Sequence, residues 1–145
     1  MTPEQIELVQ SSFAALVDSG EADAMATAFY DGLFTRAPDL RVVFTTDREA
    51  QRAGFIDELQ EIVAGLPHLE VFVESTRAMG ERHLDRGVTA RHYGPMGESL
   101  IAALGQTLGD RFTPAVADAW TLANNLVAET MMQAAADARG RGAER

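Results

Sequence analysis

The chain has neither cysteine nor lysine among its 145 residues. The lack of cysteine excludes a disulfide framework, thiolate zinc sites and cysteine nucleophiles, and it is compatible with the cytoplasm. The basic residues are 12 arginines against 22 acidic residues, so the formal net charge is -10. Because phosphate groups are bound by clustered cations, this charge argues against nucleic acids and anionic membranes as partners.

Long apolar runs are also missing. No stretch approaches the roughly 20 apolar residues that a membrane-spanning helix needs, and the first dozen residues carry Glu4 and Glu7 in place of the basic start of a signal peptide. We therefore expect a cytoplasmic protein. The length suits one domain that buries about two-thirds of its unfolded surface, and the hydrophobic content of 46% is typical of a globular chain.

What the sequence does contain is helical periodicity. Apolar residues recur at spacings of three and four between glycines, prolines and cap residues such as Thr2, Thr45, Thr46, Asp47 and Thr113. The predicted helices cover about residues 3–18, 21–36, 48–64, 69–84, 91–108 and 114–138, with a short helical turn over 40–44. We predict an all-α domain over residues 1–138 and a flexible tail, rich in glycine and arginine, over residues 139–145.

The three histidines, His68, His83 and His92, form no known metal-binding pattern and no pair at i, i+4. His83 lies on the apolar face of its predicted helix, and the carbonyl of Met79 or Gly80, one turn earlier, is available to orient its ring. The spacing alone leaves two interpretations open: a core histidine bonded to the backbone, or a single axial ligand to a metal.

Separated segments of the chain resemble one family. In chain order they are FYDGLF at 29–34, LRVVF at 40–44, QRAGF at 51–55, MGERHLDRGV at 79–88 and HYGPMGESL at 92–100. These segments are similar to the second helix, the following corner, the distal helix and the proximal region of bacterial single-domain globins and flavohaemoglobin globin domains. The resemblance extends over about residues 3–134.

The resemblance implies a globin fold of six to eight helices that enclose haem b (iron protoporphyrin IX), with His83 as the iron ligand. It implies that Tyr30 and Gln51 are the distal hydrogen-bond donors, that Phe44 wedges the haem, and that Tyr93 lies on the proximal side. The other expected cofactor contacts are Phe55, Met79, Arg82, Val88 and Met96.

These residues also have ordinary interpretations. The apolar ones suit a core, Gln51 and Arg82 suit a solvated surface, and Tyr30 suits a core tyrosine bonded to the backbone. If haem is bound, Arg82 is expected to pair with a haem carboxylate, and His92 is a second candidate for that contact but not for the iron.

The sequence departs from the family at two positions. Ala135 stands where flavohaemoglobin-type domains carry a glutamate that acts with the tyrosine matched by Tyr93, so we expect a weaker electronic push toward peroxidase-like chemistry. Glu58 lies near the implied haem-facing side of the distal helix, where a small or apolar residue is more usual. We expect its side chain to point toward solvent.

The function implied by the resemblance is reversible binding of dioxygen, nitric oxide or carbon monoxide, for oxygen carriage or storage, with dioxygenation of nitric oxide to nitrate. The sequence has no flavin or nicotinamide fingerprint such as G-x-G-x-x-G, so turnover is expected to need a separate reductase. The alternative is a haem-based gas or redox sensor that signals to a partner, and a helical domain without haem is a third interpretation. We expect a monomer or a homodimer.

Overall fold

The computed structural model describes residues 1–44 and 47–143. Within these ranges the chain forms helices and no strand, which confirms the predicted all-α class. The six α-helices are α1 (Pro3–Asp18), α2 (Ala22–Arg36), α3 (Arg48–Gly65), α4 (Leu69–Asp85), α5 (Tyr93–Leu108) and α6 (Pro114–Ala143). Short 3-10 helices lie at Pro38–Arg41, Ala90–His92 and Gly109–Arg111.

Local signals set most helix ends where they were predicted. Thr2 caps α1 in a capping box with Gln5, so two of the free backbone N–H groups at the helix start are bonded. The helical turn predicted over 40–44 comes earlier, at Pro38–Arg41, because the fixed φ of proline suits the first helical position. The caps predicted at Thr45 and Thr46 lie outside the described residues.

The last helix is longer than the sequence indicated. α6 continues past residue 138 as far as Ala143, where the described residues stop, although Gly140 and Gly142 lie in this stretch and glycine weakens a helix. The flexibility expected for residues 139–145 stays a prediction.

The helices pack around one core in which α4 lies along α6 and α2 lies against α5. Gly80 allows the first of these pairings, since a Cβ atom there would lie 2.5 Å from the carbonyl oxygen of Met131 on α6. Trp120 of α6 is buried, and its indole N–H donates a 2.8 Å hydrogen bond to the hydroxyl of Ser12 on α1. None of the described helices combines the length and the hydrophobicity that crossing a membrane requires.

Candidate functional site

A cavity of about 440 Å³ opens inside this helical shell and is lined by side chains from all six α-helices. Its volume falls within the roughly 300–1,000 Å³ that small-molecule and cofactor sites occupy. Most of the lining side chains are apolar. The few that carry polar groups include Tyr30, Gln51, Glu58, His83, Arg86, Tyr93 and Asn124.

Eight of the ten residues predicted for the site line this one cavity. They are Tyr30, Phe44, Gln51, Phe55, Met79, His83, Tyr93 and Met96. The two others lie outside the lining: Arg82 is exposed on α4, and Val88 is buried just beyond its end. The structure therefore brings most of the predicted side chains together, while the role of each one stays a prediction.

His83 enters the cavity from the buried face of α4, which also carries Phe72, Thr76, Met79 and Gly80, as the spacing predicted. Its Nδ1 atom lies 2.8 Å from the carbonyl oxygen of Met79, one helical turn earlier. Because a carbonyl only accepts, Nδ1 carries the proton of the neutral ring and Nε2 keeps its lone pair. Burial lowers the pKa of His83, with the Met79 bond acting in the opposite direction. This is the imidazole form that binds metals.

Tyr30 and Gln51 supply hydrogen-bond donors to the same cavity. The Tyr30 hydroxyl donates to the backbone carbonyl of Gln51 at 3.3 Å, and burial, together with the negative charge of Glu58, raises the pKa of Tyr30 to about 12. The hydroxyl therefore keeps its proton at neutral pH. The side-chain nitrogen of Gln51 is buried and has no hydrogen-bond partner among the described residues. A buried amide without a partner is costly, so this nitrogen marks a place for an acceptor.

Aromatic rings hold Tyr30 in position. Phe55 of α3 stacks on Phe29 of α2 with ring centroids 4.2 Å apart. Tyr30 meets Phe44 edge to face at 5.5 Å and Phe55 at 5.8 Å. Aromatic pairs prefer defined ring geometries and stabilise beyond the area they bury, so the contacts with Phe44 and Phe55 orient the phenol of Tyr30.

Tyr93 begins α5 and is buried, and this burial raises its pKa. It lines the cavity with Met96, one turn later on the same helix. Both side chains therefore belong to the cavity lining, and the cofactor contacts expected of them stay predictions.

Two charged residues line the cavity that the sequence did not assign to it. Glu58 does not turn away to solvent as expected: it is half-buried and faces the cavity. The signal was its spacing, since Gln51, Phe55 and Glu58 follow one another at four and three residues and so share a helix face. Arg86, the residue after the last turn of α4, also reaches the lining, whereas Arg82, chosen from the sequence, does not.

His92 has a structural position instead of the cofactor contact considered for it. It is buried, its Nδ1 accepts from the backbone N–H of Thr89 at 2.9 Å, and its Nε2 lies 2.7 Å from the carboxylate of Asp39. Arg91 donates to the same carboxylate at 2.7 Å. Both ring nitrogens are thus engaged, and the ring ties the chain before α5 to the 3-10 helix after α2.

Over residues 1–44 and 47–143, these features define a helical protein whose internal cavity is lined by a histidine with Nε2 free. The family model described as Globin matches residues 27–131. The chain therefore belongs to the globin family.

Comparison with individual proteins agrees with this assignment. The chain is 26% identical over 130 residues to a flavohemoprotein of Bacillus subtilis (strain 168), which covers 88% of this chain and 32% of that protein. The chain thus spans about a third of the length of the curated relatives it matches.

Two solved structures show the fold. An engineered carbene transferase derived from a putative nitric oxide dioxygenase of Rhodothermus marinus superposes with a TM-score of 0.86 at 24% identity, over 99% of both chains. A bacterial globin from Campylobacter jejuni superposes with a TM-score of 0.82 at 19% identity, over 96% of this chain and 99% of that one. The globin fold expected from the sequence is confirmed.

The residues present fit the haem group that the resemblance implies. A flat, largely apolar group with one metal needs an apolar cavity of this size and one neutral imidazole, and His83 supplies the latter. The buried amide of Gln51 has no partner in the described protein and suits a small polar ligand at the metal.

Proposed function

We propose that this chain binds haem b in the cavity through His83 and binds dioxygen and other diatomic gases reversibly. One observation carries the proposal: Nε2 of the neutral His83 and the side-chain nitrogen of Gln51 line the same cavity, and neither has a partner within residues 1–44 and 47–143. When bound, haem would supply the iron centre at which such gases are held. The chain's own residues would do the remaining work.

On the His83 side of the haem, the protein would orient the imidazole ring. The bond from Nδ1 to the Met79 carbonyl fixes the ring and its tautomer, so Nε2 is held ready for the metal. Met79, Met96 and the buried Val88 would keep water away from this side. Arg82 and Arg86 would meet the haem carboxylates, with Arg86 the better placed because it lines the cavity.

On the opposite side of the haem, the protein would donate hydrogen bonds selectively to the gas ligand. Tyr30 offers one hydroxyl proton and Gln51 two amide protons. A dioxygen ligand draws electron density and gains from such donors, while carbon monoxide gains less. Phe44 and Phe55 would fill the space around these donors.

We extend the proposal to nitric oxide dioxygenation, with electrons from a reductase. The relatives of the chain support this step, since it is similar to flavohemoproteins and to a putative nitric oxide dioxygenase. Ala135 is buried and apolar and supplies no carboxylate to the proximal side, which favours oxygen chemistry over peroxide cleavage.

Absorbance spectra of the ferric, reduced and carbon-monoxide forms test the cofactor. We expect a Soret band that shifts with carbon monoxide in the wild type and in His68→Ala, which alters an exposed histidine outside the cavity. His83→Ala should lose or alter both. Failure of the wild type to take up haem after reconstitution, or an unaltered His83→Ala spectrum, would contradict the proposal.

Tyr30→Phe tests the distal side. Losing one hydrogen bond to bound ligand should speed dioxygen release by roughly fivefold to tenfold, the equivalent of about 1 kcal/mol, and should slow nitric oxide consumption. Carbon monoxide binding serves as the control because it depends less on donors. If dioxygen release and nitric oxide consumption both match the wild type, Tyr30 has no distal role.

A further inference from the structure

A carboxylate lies inside a cavity proposed to hold neutral gases, and the function proposed so far does not use it. Glu58 is half-buried on α3 and lines the cavity. Among the described residues, neither a hydrogen bond nor an ion pair within 4.0 Å engages its side chain. A charged group in an apolar setting is costly to retain without a partner, so its presence needs an explanation.

The helix geometry places this charge beside the proposed ligand position. Gln51, Phe55 and Glu58 lie on one face of α3, and all three line the cavity. The side-chain nitrogen of Gln51 has no partner in the described part of the chain, and Phe55 packs on Tyr30 with ring centroids 5.8 Å apart. Glu58 therefore shares the helix face that would cover a ligand on the side opposite His83.

The charge of Glu58 acts on a proposed ligand donor. Glu58 acts to raise the pKa of Tyr30, and its effect there is larger than the opposing effect of Arg86. Arg86 is exposed at the cavity edge, so water and salt screen it more than they screen a half-buried group. Glu58 is therefore the less screened of the two charged side chains that line the cavity.

We propose that Glu58 is a specificity-determining residue: its carboxylate disfavours anionic ligands in this cavity and leaves neutral diatomic gases as the preferred class. The inference rests on the proposed haem function, because it concerns which ligands reach the site opposite His83. Two like charges about 10 Å apart in an environment of effective dielectric constant near 20 change an equilibrium constant roughly tenfold.

The test compares one anion and one neutral ligand in the haem-loaded protein. Azide is titrated into the ferric form and carbon monoxide into the reduced form, at pH 7 and low ionic strength. We expect Glu58→Gln to bind azide roughly tenfold more tightly than the wild type, with carbon monoxide affinity unchanged. Glu61→Gln is the matched control, because it removes the same charge from an exposed position of α3 outside the cavity, and it should behave as the wild type.

A second variant separates charge from new hydrogen bonding. Glu58→Ala removes the carboxylate without adding the amide donor of glutamine, so the same gain in azide affinity in both variants identifies charge as the cause. Equal azide affinity in wild type, Glu58→Gln and Glu58→Ala overturns the inference, as does an equal gain for carbon monoxide, which would indicate widened access. A wild type without a Soret band instead overturns the proposed function itself.

Discussion

Replacing Gly80 with alanine tests the close contact between α4 and α6. A Cβ atom at this position would lie 2.5 Å from the carbonyl oxygen and 2.7 Å from the Cα of Met131. These are backbone atoms of α6 and cannot rotate away, so α4 and α6 must separate. Overpacking of a core costs about 1–3 kcal/mol, and backbone contacts this short belong at the upper end. Alanine also favours the helical conformation over glycine by about 1 kcal/mol. We therefore expect the free energy of unfolding of Gly80→Ala to fall by about 2 kcal/mol.

The assay is urea unfolding followed by far-ultraviolet circular dichroism, with the midpoint and the slope both fitted. Gly54→Ala is the matched control, since Gly54 is an exposed residue within α3 and nothing lies within 4 Å of a Cβ atom built there. The free energy of unfolding of this control variant should rise by up to about 1 kcal/mol. A Gly80→Ala protein as stable as the wild type, or stabilised like the control, would show that α4 and α6 are not in backbone contact.

Three further expectations follow from named contacts. Ser12→Ala leaves the buried indole N–H of Trp120 without its acceptor and should cost about 1–3 kcal/mol in urea unfolding; full stability would mean that another acceptor replaces it. The pKa of Asp39 is held below 3.8, chiefly by the hydrogen bond from a buried imidazole. Its ionised form therefore favours the folded state above that pH, and the stability advantage of wild type over Asp39→Asn should shrink as the pH falls below 3.8 in a thermal unfolding series. Finally, Arg86→Gln should speed haem transfer to an acceptor apoprotein by up to about fivefold, which is the scale of an exposed ion pair. Arg82→Gln should speed the transfer less. The reverse order would indicate that Arg82, and not Arg86, pairs with the haem carboxylates.

The sequence predicted the helices because their periods and caps are local properties. The buried face of α4 is one case: the same spacing that placed His83 among Met79 and Gly80 in the sequence buries them together in the fold. The resemblance added the pairing of distant segments, which periodicity cannot provide. Tyr30 and Gln51 are separated along the chain, yet a hydrogen bond joins the two residues.

What the sequence did not predict depends on contacts between elements. His92 pairs with Asp39, which lies on a distant turn of the chain. The sequence around either residue does not indicate that the two side chains meet. The choice between Arg82 and Arg86 depends on where the chain leaves α4, at a turn completed by Gly87 with a φ of 98°. Glu58 differs from these cases, because its helix face was readable and only the usual preference for solvated carboxylates argued against it.

The hydrogen bond between Tyr30 and the Gln51 carbonyl also sets a limit on how the phenol can serve a ligand. A phenol has a single proton, so the Tyr30 hydroxyl must release the backbone oxygen before it can donate to a ligand. The net stabilisation of the ligand is then the difference in free energy between the two hydrogen bonds. At 3.3 Å the present bond is longer than the usual 2.5–3.0 Å of O–H···O pairs. Little free energy is therefore lost when it breaks. Among the described residues, the side-chain nitrogen of Gln51 has no hydrogen-bond partner to release. If a ligand binds here as proposed, the amide can donate to it without breaking a bond within the described part of the chain, whereas the phenol must first leave the backbone carbonyl.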